Sequence, residues 1–186
     1  MHLWMALFAG YHAMLTPPMQ PPTPDDLRFI DARIGRPLTQ VVAVAWRRAD
    51  QLPGVIVNYP LAVRAGVPQP FPTLYWLVCP DLCKAVAQLE MQGAIRQCEA
   101  RLRQDPARQQ RLDADHQRYI EQRWSLLSDA DRQLIHRCDL RADFDELGVA
   151  GMRDFTTVKC LHAHVAQHLV DGNAVGAMVA PELGVA

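Results

Sequence analysis

The hydrophobic period of this 186-residue chain changes at Pro80, and this change constrains the fold more than any other feature. After Pro80, apolar residues recur about every 3.6 positions, which is typical of amphipathic helices. Before it, three short runs rich in β-branched or aromatic residues are typical of strands: VVAVAWR (41–47), GVIVNYP (54–60) and TLYWLVC (73–79). We therefore expect an α+β fold, with a small, mainly antiparallel three-stranded sheet in the N-terminal half and a helical C-terminal half.

Helix ends can be read from capping residues. Thr23 is a suitable N-cap, Pro24 suits the first helical position, and Gly35 is a stop signal, so a helix is predicted over 24–34. The period predicts further helices at 80–92, 94–104, 106–126, 128–138 and 157–170. The chain has no phosphate-binding glycine loop and no G-x-S-x-G elbow, so the commonest nucleotide-binding and hydrolase signatures are missing.

The domain organisation follows from composition along the chain. Residues 1–22 are expected to be a flexible extension, because a short apolar stretch runs into TPPMQPPTP, where five of nine residues are proline. The apolar stretch is too short for a stable membrane span. A single α+β domain is expected over 23–178, followed by a tail over 179–186.

Charge and cysteine content narrow the functional classes. The formal net charge is -1, with no basic cluster, so neither nucleic acid nor an anionic membrane surface is implied as a partner. The five cysteines are irregularly spaced, which favours a cytoplasmic protein with free or metal-bound thiols over a disulfide framework: Cys79, Cys83, Cys98, Cys138 and Cys160.

The segment VKCLHAHVAQHL (158–169) carries one cysteine and three histidines. If it is helical throughout, Cys160, His164 and His168 share one stripe, because they are spaced at i, i+4 and i+8. His162 then lies about 160° away from Cys160 and faces the apolar side. Thiolate and imidazole ligands suit zinc or iron, whereas the alternative is an ordinary packed helix.

Two further segments supply candidate residues. Cys79 ends a predicted strand and precedes Pro80, so we expect it to be a helix N-cap, where the helix dipole favours a thiolate. His116, Tyr119 and Arg123 fall on one face of a predicted helix and offer an imidazole, a phenol and a guanidinium to an anion or to neighbouring thiols. A solvated helix face is the plainer reading of that stripe.

Six blocks, taken in order, resemble a family of bacterial proteins grouped as domain of unknown function 501: IGRPL (34–38), PFPTLYWLVCP (70–80), LEMQG (89–93), HQRYIEQR (116–123), VKCLHAHVAQHL (158–169) and NAVG (173–176). The resemblance spans about residues 25 to 178 and carries no known activity. It implies a shared set of positions that includes Arg36, Cys79, Glu90, His116, Arg123, Lys159, Cys160 and His162. The presence of His162 in the pattern implies either that the helix begins after Cys160 or that His162 reaches a buried site.

These observations lead to a metal-site hypothesis. We expect zinc, or alternatively iron, to be held by a Cys/His set drawn from Cys79, Cys160, His162, His164 and His116. Lys159, Arg123 and Arg36 are the candidates for attracting an anion.

Two other hypotheses remain. One is a metal-free thiol enzyme, with Cys79 or Cys160 as nucleophile and His116 or His162 as base, and with Lys159 as a further catalytic candidate. The other is a non-catalytic interaction module.

Overall fold

The computed structural model describes residues 19–36, residue 38 and residues 40–185. Most of the predicted extension therefore lies outside the described residues. Its last part joins the domain, because Met19 is buried and Gln20 forms an antiparallel bridge with Val44 at N–O distances of 3.2 and 2.8 Å.

The first helix, α1 (Pro24–Ile34), begins and ends as predicted. The Thr23 hydroxyl accepts the Asp26 N–H, and the Asp26 carboxylate accepts the Thr23 N–H, which together form a capping box. Gly35 ends the helix in the left-handed conformation. The Asp26 carboxylate also receives two hydrogen bonds of 2.8 Å from Arg47, which lower the pKa of Asp26 to about 2 and join α1 to the sheet.

Within the described residues, five strands form two antiparallel sheets: β1 (Val41–Arg47), β2 (Pro53–Asn58), β3 (Leu61–Arg64), β4 (Val67–Pro70) and β5 (Tyr75–Leu77). The main sheet has the order β1-β2-β5, which confirms the predicted small antiparallel sheet and the α+β class. Its central strand β2 is buried along its whole length, as expected for a strand covered on both faces.

The ribbon formed by β3 and β4 was not predicted. Both strands are short, and β4 contains Pro68 and Pro70, which remove backbone donors and weaken a strand signal. A two-stranded ribbon tolerates these prolines because each strand has one unpaired edge. Ala65 and Gly66, both with positive φ, make the turn.

Seven helices follow the sheet in the part of the chain that the structure describes: α2 (Pro80–Met91), α3 (Ala94–Gln104), α4 (Pro106–Ser125), α5 (Asp129–Arg137), α6 (Arg141–Asp145), α7 (Leu161–Asp171) and α8 (Ala174–Leu183). A 3-10 turn (Val149–Gly151) lies between α6 and α7. Helices α6 and α8 were not predicted, and α8 extends past residue 178, where the sequence suggested a tail. None of the helices over residues 19–185 that the structure describes is long and apolar enough to span a bilayer.

Helix α7 lies at the centre of the molecule. Its small residues Ala163 and Ala166 pack in one hydrophobic cluster with the inner face of the sheet, including Val55 and Tyr75. Leu161 and Val165 belong to a second cluster with α2, α3, α4 and α8. Burial of each large apolar side chain contributes about 1.5–3 kcal/mol to the stability of the fold. Because residues of α7 belong to both clusters, the helix is held in place from two sides.

Candidate functional site

Cys160 precedes α7 rather than lying within it. Its backbone is extended, with φ -151° and ψ 115°, and it occupies the N-cap position of α7. The predicted start of this helix at 157 is therefore wrong by four residues. The alternative drawn from the family resemblance, a helix that begins after Cys160, is confirmed.

This start changes which side chains meet. Cys160 no longer continues the stripe of His164 and His168, and it lies beside His162 instead. Helix α2 supplies Glu90 as the third member of the group. Glu90 lies seven residues after Cys83, so the two residues are on nearly the same side of α2. Among the described residues, the Cys160 Sγ, one His162 ring nitrogen and one Glu90 carboxylate oxygen all lie within 4.8 Å of one another.

Glu90 fixes the relation between α2 and α7. Its Oε1 accepts the backbone N–H of Leu161 at 2.7 Å, which satisfies one of the free donors at the start of α7. The same oxygen lies 3.4 Å from Nδ1 of His162. The carboxylate thus faces both the N-terminus of α7 and the imidazole of His162.

The ring of His162 is oriented by the backbone of α2. Its Nε2 lies 3.1 Å from the carbonyl oxygen of Cys83. Because a carbonyl only accepts hydrogen bonds, Nε2 carries a proton and Nδ1 is left facing Glu90. The side chains of His162 and Glu90 are 30% and 26% exposed, so solvent reaches the cluster.

Cys160 and His162 shift each other's pKa in opposite directions. Burial raises the pKa of Cys160, but the His162 imidazole and the Ala163 N–H outweigh burial, and the net pKa is lowered. Cys160 in turn raises the pKa of His162 to about 9, against burial and with help from Glu90. Both shifts favour the thiolate–imidazolium form of the pair.

His116 of α4 and His164 of α7 lie outside this group, in the interior. His116 accepts the Val149 N–H at Nδ1 (2.9 Å) and stacks on Phe155, with ring centroids 4.1 Å apart. Burial lowers the pKa of His116 to about 4. His164 faces Asn173, with 3.1 Å between Nδ1 and Oδ1, and burial lowers its pKa to about 3.

Cys79 is the N-cap of α2, as predicted, but it is buried and is not part of the cluster of Glu90, Cys160 and His162. Cys83 lies beside it, and its thiol donates to the Leu77 carbonyl at 3.3 Å. Burial raises the pKa of Cys83. The structure therefore uses the backbone of Cys83, rather than its sulfur, to shape the cluster.

The predicted anion-binding residues have different environments. The guanidinium of Arg123 is buried and donates to the carbonyls of Phe144 (3.1 Å) and Leu147, at the end of α6. Burial also lowers its pKa. Arg36 and Lys159 are exposed, and Lys159 directly precedes Cys160 in the chain.

A family profile described as "Protein of unknown function (DUF501)" matches residues 44–181, most of the chain. The chain belongs to the DUF501 family. The family match confirms the resemblance drawn from the six sequence blocks. Searches of curated proteins and of solved structures give no match for this DUF501 protein.

Glu90 is the member of the cluster to which the sequence analysis gave no role. It was among the positions implied by the family resemblance, and its seven-residue spacing from Cys83 was visible. Neither signal pairs α2 with the start of α7. That pairing depends on a contact between residues 72 positions apart.

Proposed function

We propose that this DUF501 protein binds a transition-metal ion through Glu90, Cys160 and His162, with zinc as the expected ion and iron as the alternative. The observation that carries the proposal is the convergence of these three ligand atoms within 4.8 Å of one another. A thiolate, an imidazole and a carboxylate are all zinc ligands, and the thiolate disfavours magnesium and calcium. Glu90 replaces Cys79, His116 and His164 in the set expected from the sequence.

The spacing of the ligand atoms suits a tetrahedral ion. Two ligand atoms bound at about 2.1 Å in a tetrahedron lie about 3.4 Å apart. Nδ1 of His162 and Oε1 of Glu90 are 3.4 Å apart, which is long for a charge-assisted hydrogen bond but matches this edge. An ion can therefore replace the Nδ1 proton with little movement of either side chain.

The groups around the ligands also support metal binding. A metal-bound histidine commonly donates its other N–H to a carbonyl or carboxylate, and Nε2 of His162 faces the Cys83 carbonyl in this way. Glu90 is held by the Leu161 N–H at 2.7 Å. Two of the three ligands thus have a partner that fixes their orientation before an ion arrives.

Partial exposure of His162 and Glu90 leaves room for water as a fourth ligand. Three protein ligands with one open position are the composition of catalytic zinc sites, whereas four protein ligands are typical of structural sites. Bound zinc lowers the pKa of its water to near neutrality, so the site would support hydrolysis. Exposed Lys159 beside Cys160 favours an anionic substrate.

Metal content measured by mass spectrometry, on full-length protein purified without an affinity tag or chelator, tests the proposal. We expect about one zinc or iron per chain in the wild type. Three variants should lose it: Cys160→Ser, Glu90→Gln, which keeps an acceptor for Leu161, and His162→Gln, which keeps a donor to Cys83. Cys138→Ser and His168→Asn are matched controls outside the cluster and should retain the ion.

Zinc titration of chelator-treated protein covers the case in which purification removes the ion. A dissociation constant that rises 10-fold or more in each ligand variant, but not in the controls, supports the site. Equal affinity in wild type and the Cys160→Ser variant would contradict it.

A second candidate function is metal-free thiol catalysis at the same cluster. It is favoured by the position of the Cys160 sulfur, which lies at the N-terminus of α7 beside the imidazole of His162. Both features favour the nucleophilic thiolate, with His162 as the base and Glu90 facing the imidazole. Cys79, the other predicted nucleophile, is buried.

Alkylation by iodoacetamide separates the two candidates. A thiol enzyme predicts that Cys160 reacts fastest of the five cysteines and that a chelator leaves its rate unchanged. A metal site predicts slow alkylation of Cys160 that becomes faster after chelation and slows again on addition of zinc. Peptide mass spectrometry after partial labelling identifies which cysteine has reacted.

A further inference from the structure

Two buried imidazole rings each have one nitrogen without a hydrogen-bond partner among the described residues. His116 and His164 are both 0% exposed, and Nε2 of each lacks a partner among the described residues. Their rings meet edge to face at 85°, with centroids 6.0 Å apart. Buried polar groups are rarely left unpaired, so each of these two atoms calls for a partner.

The hydrogen bonds around His116 determine which of its ring nitrogens carries the proton. Nδ1 of His116 receives the backbone N–H of Val149 at 2.9 Å, so this nitrogen carries a lone pair. A neutral imidazole has one protonated nitrogen, and therefore Nε2 of His116 bears the hydrogen. Among the described residues, this Nε2 is a buried donor without an acceptor.

The hydrogen bonds around His164 determine the opposite tautomer, with the proton on Nδ1. Oδ1 of Asn173 accepts the backbone N–H groups of Val175 (3.0 Å) and Gly176 (2.9 Å), which identifies it as the oxygen. The amide nitrogen of Asn173 donates to Gln167 at 2.7 Å, in agreement with that orientation. Nδ1 of His164, 3.1 Å from the oxygen, must then donate, and Nε2 is a buried acceptor that no described residue supplies with a donor.

We propose that His116 and His164 together bind a single buried water molecule. The water accepts from Nε2–H of His116 and donates to Nε2 of His164, which satisfies both atoms. Water is the smallest neutral ligand that both accepts and donates, and buried waters characteristically bridge polar groups that the protein leaves unpaired. The site joins α4 to α7 and is separate from the cluster of Glu90, Cys160 and His162.

Nitrogen-15 NMR of histidine side chains in the full-length protein tests both steps. We expect a protonated Nε2 on His116 and a protonated Nδ1 on His164 at pH 7. A nuclear Overhauser contact between the His116 Nε2–H and a long-lived water should be present. The reverse tautomer on either ring, or no water contact at that proton, would overturn the proposal, as would a direct nitrogen-to-nitrogen coupling between the rings.

A matched variant tests the bridging role. In His164→Asn the amide can still donate to Asn173, but the acceptor at Nε2 is gone. We expect the His116 Nε2–H to keep its tautomer and lose its water contact, whereas His168→Asn should leave both unchanged. Retention of the water contact in His164→Asn would contradict the bridge, and the wild-type measurement remains decisive if this variant does not fold.

Discussion

The hydroxyl group of Tyr119 accepts the backbone N–H of Leu74 at 2.6 Å inside the core. The side chain is completely buried, and burial raises its pKa to about 12. Leu74 directly precedes β5, so this single oxygen helps to fix where α4 meets the sheet. Polar atoms in such positions affect stability mainly through the cost of leaving their partner unpaired.

We expect Tyr119→Phe to lower the free energy of unfolding by about 1–3 kcal/mol, because the Leu74 N–H is left buried and unsatisfied. Urea denaturation followed by circular dichroism measures the change. Tyr75→Phe is the comparison, since that hydroxyl bonds to the partly exposed Gln122 side chain at 3.1 Å, and it should cost less. An equal or smaller loss in Tyr119→Phe would contradict the assignment.

The lowered pKa of His116 predicts a loss of folding stability in mild acid. Its folded pKa of about 4 lies below the unfolded value of 6.5, so its contribution is complete above pH 6.5 and is lost as the pH falls towards 4. The loss is about 1.4 kcal/mol for each pH unit in that window. His116→Asn offers Val149 an acceptor but does not titrate, and its unfolding free energy should fall less steeply with pH.

The carboxylate of Asp26 affects stability in a lower pH range, so it does not interfere with that measurement. Its folded pKa of about 2 lies below the ordinary 3.8, so its stabilising effect is lost only as the pH falls from 3.8 towards 2. Identical slopes for wild type and His116→Asn between pH 6.5 and 4 would refute the assignment to His116.

Helices α7 and α8 approach closely at Gly176. A side chain at this position would overlap the Cβ atom of His168 and would lie 2.8 Å from the carbonyl oxygen of His164. The short connection through Gly172 and the Asn173 cap holds α8 against α7 at this distance. The contacts of Asn173 with His164 and Gln167 depend on this close approach, and so does the packing of the buried face of α8.

We expect Gly176→Ala to lower the free energy of unfolding by about 1–3 kcal/mol, although alanine is the better helix former, because the added methyl group forces the two helices apart. Guanidinium denaturation measures the difference. Ala177→Ser changes the exposed neighbouring position and should cost less than about 0.5 kcal/mol. If the Gly176→Ala variant were more stable than wild type, the two helices would be free to separate and the close approach would not be a constraint.

Local signals predicted the elements better than their contacts. The bounds of α1 followed from Thr23, Pro24 and Gly35, and the main sheet was expected from the spacing of the apolar runs. The β3-β4 ribbon was not predicted because its prolines and polar residues do not fit the pattern of a strand. Helix α8 was missed because the apolar segment after Asn173 has little periodicity.

The candidate site shows the same limit. Cys160 and His162 are two residues apart, and the sequence identified both, but a helical reading from residue 157 turned them away from each other. Local periodicity could not reveal that Cys160 is an N-cap, since its extended backbone precedes a helix whose first N–H is bound by Glu90 of α2. The contact of Glu90 is non-local and was beyond spacing arguments.

The molecule as a whole is organised around α7, which contributes to two hydrophobic clusters. The β3-β4 ribbon is the opposite case. Among the described strands, its two members pair with each other alone, and its Val63 and Val67 are 58% and 56% exposed. Stability should therefore differ between the centre and this ribbon.

Hydrogen exchange measured by mass spectrometry in low denaturant checks this expectation. Amides in the second half of α7 should exchange only through global unfolding, whereas those of the ribbon should exchange through local opening. The two sets should then respond differently to urea. A ribbon as well protected as α7 would contradict this description.

The contact between Glu90 and His162 joins residues 72 positions apart, and no unfolded chain holds them in place. An ion that needs all three ligands of the proposed cluster binds the folded state more tightly than the unfolded chain, so loading and folding are thermodynamically linked. At a free concentration 100 times its dissociation constant, such an ion adds up to about 2.7 kcal/mol to the unfolding free energy. The supply of the ion would then govern how long the protein survives proteolysis as well as whether its site is filled.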